Sequence, residues 1–172
     1  MEVQIPAGIV EVENVNNLKD LEKYAIDLVE KTIAIDKITP TFLARVKQGL
    51  AVVDLSVIAR EAKENWKKPA KFFLKQFVEQ VEAPMGVMIM ESWALSIPLT
   101  DIEKYKSGEL NPRENPEKKP VVSVIIQRPG HFEFNIYSVD ESGETRRLGS
   151  RMNSDTSKTE TFWFIYEDHV VQ

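Results

Sequence analysis

The sequence predicts an α+β fold: N-terminal helices packed on one face of a C-terminal four- to five-stranded, mostly antiparallel sheet. Three observations carry this. Up to about residue 84 the apolar residues recur at helical spacing, as at Leu21, Ala25, Leu28, Val29 and Ile33. Beyond it they alternate, as at Val122, Val124 and Ile126 and again at Phe132, Phe134 and Ile136. The two patterns are segregated along the chain, which points to layers of helix and sheet rather than alternating βαβ units. At 172 residues one domain is expected, with 1–84 a mainly helical half and 85–172 a mainly β half.

Residues 3–12 form a short strand, an edge strand or an ordered arm, because Pro6 and Gly8 limit any long ladder. Asn17 is the expected cap of a first helix running to about Ile35, with Asp20 three residues later. Thr39-Pro40 reads as a second start, with Pro40 at the first helical position and Gly49 ending a short helix. A third helix is expected over 50–67, capped by Asp54 or Ser56. Pro69 disfavours the α region at Lys68, so a break should precede a last helix over 69–82 with Phe73, Phe77, Val78 and Val81 buried.

Residues 86–97 are nearly continuously apolar, as in a central strand covered on both faces. A polar connection over 98–120 follows, with room for a helical turn between Leu99 and Lys106. Strands are expected at 121–127, 131–139, 145–151 and 160–167, with turns at Arg128-Pro129-Gly130 and at 140–144. The core of the sheet should draw on Val87, Ile89, Trp93, Val122, Val124, Ile126, Phe132, Phe134, Ile136, Phe162 and Phe164. The apolar stretch 161–166 is an expected sheet edge on which a second chain can pair, and a homo-oligomer would follow.

A content of 42% hydrophobic and 28% charged residues is that of an ordinary globular chain. Without cysteine there is no disulfide framework, thiolate metal site or cysteine nucleophile. The acidic N-terminus lacks a basic leader region, and no apolar run approaches the ~20 residues of a membrane span, so no membrane partner and a cytoplasmic location are expected. A net charge of −5 argues against a dedicated duplex-DNA binder.

No nucleophile elbow, Walker A loop or dinucleotide fingerprint is present, and the seven glycines form no phosphate cradle. The two histidines, His131 and His169, have no metal-ligand spacing. Neither a cofactor nor a metal is expected, and an interaction protein is favoured over an enzyme. The enzymatic alternative centres on Glu91, the one acid inside an apolar strand. If it points inward it must be protonated or paired with Arg113, Lys118, Lys119 or Arg128.

Two stretches are candidates for binding. The charged, proline-punctuated connection 98–120 is long for a simple link, and Asn111, Arg113, Glu114, Glu117, Lys118 and Lys119 are its expected protein-partner residues. The stretch 60–75 carries six bases against two acids, interleaved with Trp66, Phe72 and Phe73. Bases with aromatics suit single-stranded nucleic acid, so Lys63, Trp66, Lys67, Lys68, Lys71 and Lys75 form the alternative site. A smaller basic set is Arg146, Arg147 and Arg151.

The segment 87–126 resembles small uncharacterised proteins of phages, prophages and prokaryotes. In those, an apolar strand ends in Glu-Ala/Ser-Trp and a Pro-x-Glu-x-Pro-Asp/Glu-Arg/Lys loop leads to a second apolar strand. The matching pieces are Glu91-Ser92-Trp93, then Pro112-Arg113-Glu114-Asn115-Pro116-Glu117-Lys118, then Val121 to Ile126. This chain has Asn115 where those proteins often carry His. The resemblance implies no activity. It implies a viral or mobile-element accessory protein, acting in the host cytoplasm.

Overall fold

Phe42, Leu43 and Ala44 are consecutive and all three are fully buried, which a strand allows only when both of its faces are covered. This is the plan of the molecule in a computed structural model that describes residues 7–12, 14–33, 38–94, 97–111, 114–117, 119–139, 145–153 and 165–166. The class is α+β. The strands are β1 (Ala7–Val10), β2 (Thr41–Val46), β3 (Gly49–Asp54), β4 (Gly86–Ala94), β5 (Lys119–Arg128), β6 (His131–Val139) and β7 (Thr145–Asn153). They form one sheet in the order β1-β3-β2-β4-β5-β6-β7, with every neighbouring pair antiparallel. The helices are α1 (Leu18–Ile33), α2 (Ser56–Ala62), α3 (Lys67–Gln80) and the short α4 (Ile102–Lys106).

The sheet has seven strands, not four or five, and its helices are divided between its two faces rather than gathered on one. Alternate residues show the division. Leu43, Leu50, Val87, Ile89, Val122, Val124 and Ile126 pack with Leu21, Ala25 and Val29 of α1. Their neighbours Phe42, Ala51, Val53, Met88, Ile125 and Phe132 pack with Ile58 of α2 and Ala70, Leu74 and Val78 of α3. A sheet apolar on both sides needs a layer on each, because an uncovered face would leave about 1.5–3 kcal/mol per large side chain ungained.

The same burial explains why one expected helix is absent and another begins later than expected. The short helix expected to end at Gly49, and the first residues of the helix expected over 50–67, are instead the hairpin β2–β3. The apolar run at 42–44 suits a doubly covered strand as well as a buried helix, and periodicity does not separate the two. Arg45 braces the two-residue turn, its guanidinium donating to the carbonyls of Val46 and Gly49 at 3.0 and 2.8 Å. Gly49 is not a helix stop: it sits at φ +148, where a Cβ would lie 2.0 Å from the Val10 carbonyl oxygen of β1.

Other elements follow their sequence signals. Asn17 caps α1, accepting the Asp20 N–H at 2.9 Å, while the Asp20 carboxylate accepts the Asn16 N–H at 3.1 Å. That reciprocal arrangement satisfies two donors at the helix start. Asp54 accepts the Ser56 N–H at 2.9 Å and so starts α2. The break expected at Lys68 lies earlier: a 3₁₀ turn at Lys63–Asn65 separates α2 from α3, and α3 begins at Lys67, so Lys68 is helical and Pro69 sits in the first turn, where its missing N–H is tolerated. Residues 7–10 are an edge strand. Of the expected sheet core, Val87, Ile89, Val122, Val124, Ile126 and Phe132 are buried, and Phe134 and Ile136 half-buried. The side chain of Trp93, and Phe162 and Phe164, lie outside the described residues.

The expected strand 160–167 is described only at Ile165 and Tyr166, which form a turn and are not an open edge. Both are fully buried on the α2–α3 face. Gln127, itself buried on β5, accepts the Ile165 N–H through its side-chain oxygen, and the Tyr166 hydroxyl donates to the Ala83 carbonyl at 3.1 Å. Two buried polar groups are thereby satisfied and this turn is fastened to the junction of α3 and β4.

Close approach fixes two glycines. A Cβ on Gly86 would lie 2.5 Å from the Phe42 ring, and one on Gly49 would strike β1, whereas Gly8 has nothing within 4 Å. Gly49→Ala and Gly86→Ala should each cost about 1–3 kcal/mol in urea unfolding, and Gly8→Ala less than about 0.5 kcal/mol.

Burial also pushes the Tyr166 phenol well above the usual tyrosine range. The folded protein therefore keeps this proton to higher pH than the unfolded chain, whose phenols titrate near about 10. The stability tied to it is complete below about pH 10 and is lost as pH rises beyond that. Thermal melts should fall off above about pH 10 more steeply in the native protein than in Tyr166→Phe, a variant costing about 1 kcal/mol at neutral pH through its lost hydrogen bond.

Candidate interaction surfaces

The connection between β4 and β5 is built as a structure in its own right. A 3₁₀ turn at Leu99–Asp101 runs into α4, as the expected helical turn between Leu99 and Lys106 requires. The Gly108 φ of +82 turns the chain back, and the Leu110 N–H donates to the Lys104 carbonyl at 3.0 Å. Asn115 then latches the return leg. Its amide donates to the Tyr105 hydroxyl at 2.9 Å, and its oxygen accepts the Glu117 N–H at 2.9 Å, an Asx-type turn. The position where related-looking proteins often carry His thus does structural work here.

This excursion is exposed. Asn111, Glu114, Glu117 and Lys119 all face solvent; Arg113 and Lys118 lie outside the described residues. The sequence reading missed its apolar component: Leu99 is 86% exposed and Leu110 37%. These leucines stand among five acids and five bases within 98–120. Apolar anchors inside a balanced charged rim are the composition of a protein-binding patch. The surface ion pair Lys106–Glu103, at 3.7 Å and well exposed, adds little stability.

The basic stretch forms a second surface. Lys67, Lys71 and Lys75 recur every fourth residue and so share one side of α3, with Lys68 and Phe72 beside them. Lys63, Lys67 and Lys68 are exposed, and Lys71 and Lys75 half-buried. The aromatics divide. Trp66 and Phe73 pack against the core, and Phe73 stacks on Phe77 with ring centres 6.0 Å apart. Phe72 is 64% exposed. Trp66 is therefore a core residue and Phe72 the one outward ring of the set. The first turn of α3 has no acid and carries Lys67 and Lys68, against the helix dipole.

Glu91 is exposed, not turned inward, and its carboxylate accepts the Ile38 N–H at 3.4 Å. The buried, charge-paired carboxylate on which an enzymatic centre depended is not there. His131 is half-buried at the start of β6, and His169 is outside the described residues. Arg146, Arg147 and Arg151 lie on β7, with side chains outside the described set. Among the described residues no three His, Asp or Glu side chains gather as metal ligands would.

Two features had no sequence signal because they join distant elements. A cavity of about 980 Å³ lies between β1, the β2–β3 hairpin and the end of α3. Ile9, Val46, Ala51, Phe77 and Val81 line it together with Lys47 and Glu82. On the α1 face the Tyr137 hydroxyl donates to the Glu22 carboxylate, tying β6 to α1. Beside it Asn135 is fully buried, its amide donating to Glu133 at 3.1 Å and its oxygen without a hydrogen-bond partner.

No family model, curated protein or solved structure matches the chain.

Proposed function

We propose that this is a non-enzymatic interaction protein that docks a protein partner through the 98–120 excursion. One observation carries the reading. The excursion is held by its own hydrogen bonds and still leaves Leu99 86% exposed. A leucine fully in water on an ordered support is an anchor for a partner's pocket, because little ordering entropy remains to be lost on binding. The net charge of −5 favours a partner with a basic surface. The likeness of 87–126 to phage and prophage proteins suggests a host protein as that partner.

The tagged protein should capture one dominant protein from a host lysate, and nuclease should leave the capture intact. A Leu99→Asp/Leu110→Asp double variant should lower it at least about tenfold, as loss of a hot spot does, with the urea midpoint unchanged. Undiminished capture by that variant would remove the excursion as the docking site.

A second reading, single-stranded nucleic acid on α3, is favoured by its lysine-rich first turn. Cations at a helix N-terminus cost about 0.3–1 kcal/mol, and a local cost without structural gain points to use. Here Lys63, Lys67, Lys68, Lys71 and Lys75 meet phosphates and Phe72 stacks on a base. Affinity for a single-stranded 20-mer would fall steeply with salt, and Phe72→Ala would weaken it by about 1–3 kcal/mol in fluorescence titrations. Salt-insensitive binding, or none, removes this reading.

A further inference from the structure

Among the described residues the sheet ends at β1, and nothing described covers the edge it presents. Protein edges are commonly protected by lysine, proline or a bulge. Residues 7–10 carry none of these, and their ladder with β3 runs in regular register. Ile9 is 59% exposed and Val10 42%, on opposite faces of the strand. Gly8 has open space where a side chain would be.

From this edge we infer that the protein forms a two-fold homodimer in which β1 pairs antiparallel with β1 of a second copy, extending the seven-stranded sheet across the dimer axis. Geometry narrows the register. An axis perpendicular to the sheet keeps each face on its own side, and directly opposite residues in an antiparallel pair share a face. Only registers that pair residues on the same face remain. Centring on Ile9 sets Ile9 opposite its own copy on the α3 face. The same register sets Val10 opposite Gly8 on the α1 face, so the valine enters the space the glycine leaves open. Both exposed side chains are covered in one arrangement. Centring on Gly8 leaves Val10 uncovered by the paired strand, and centring on Val10 sets Ile9 against Glu11.

The charges fit a second copy. Glu11, the nearest ionised residue along the chain, falls opposite position 7 and not against another acid. The paired segment is itself neutral, while each whole copy carries −5. Long-range repulsion therefore opposes association and is screened by salt, so the dimer tightens as ionic strength rises. That trend is opposite to the salt response of nucleic-acid binding. Each Ile9 also lines the 980 Å³ cavity of its own copy, so pairing brings the two cavities to either side of the dimer axis. A four-residue pair is a small contact next to a standard interface, and a dissociation constant on the order of 10–100 µM is expected.

The absence of native cysteine makes the register directly testable. In this pairing the two position-9 Cα atoms lie about 4.5–5.5 Å apart, within disulfide reach, whereas the position-7 atoms are about 13 Å apart. Full-length Ile9→Cys should oxidise to a disulfide dimer and Ala7→Cys should not. Sedimentation of the native protein should show a monomer–dimer equilibrium that tightens between low and physiological salt. Ile9→Lys should weaken it at least tenfold, and so should Gly8→Val, which fills the space meant for Val10. Circular dichroism confirms that each variant is folded, as exposed positions allow. A monomer at all concentrations up to the millimolar range overturns the proposal and leaves the edge to a foreign strand. Equal cross-linking at both positions, or a dimer indifferent to Ile9→Lys, overturns it as well.

Discussion

The structure depends on one constraint: its central strands are apolar on both sides. β2, β4 and β5 contribute alternate residues to two separate cores, and neither core can form without a covering layer. α1 supplies one. α2, α3 and the Ile165–Tyr166 turn supply the other. The close fit of Phe42 over Gly86 belongs to the same requirement, since β2 and β4 must also carry a large ring between the sheet and α3. Among the described residues, an edge strand, a latched excursion and the lysine side of α3 lie outside the two cores.

That constraint also decides what was legible in the sequence. Strands with polar residues on one face announce themselves by alternation, and β6, with Phe132, Phe134 and Ile136 on one side and Glu133 and Asn135 on the other, was read correctly. β2 and β3 were taken for helix because burial on both faces fills the alternate positions with apolar residues and erases the period. Signals that live within a few residues were reliable. Asn17 with Asp20 and Asp54 before Ser56 each depend on local hydrogen bonding, whereas the break expected at Lys68 falls earlier because a proline in the first turn of a helix leaves the helix intact. The seating of Tyr166 on Ala83 spans the β half of the chain, and no short-range pattern encodes it. Glu91 was ambiguous for a related reason: an acid in an apolar strand faces in or out according to where the helix layer ends, and α1 does not cover it.

Among the binding candidates, the excursion was found by its length and proline spacing, but its anchors were not. Leu99 and Leu110 look ordinary among the apolar residues of the sequence, and only exposure on an ordered support sets them apart. The reverse holds for Trp66. Its place among lysines suggested stacking on a base, while its packing against the core shows it holding α3 in place. Phe72, six residues further on, carries what outward aromatic character the helix has. The two surfaces are built differently. The excursion is apolar with a balanced rim, and the helix face is cationic with a single ring, so one partner chemistry does not serve both.

The fastening of Ile165 and Tyr166 has a consequence for how the chain reaches this state. Most of the sheet joins sequence neighbours, so its hairpins form as the chain is synthesised. The α2–α3 core is different, because Tyr166, 83 residues beyond the Ala83 carbonyl it bonds, plugs it. Until that residue emerges, Gln127 and the Ala83 carbonyl lack these partners and the apolar surface around them is open. The nascent protein therefore passes through a stage with its sheet assembled and one face unsealed, and the Ile165–Tyr166 turn is the closure that completes that face.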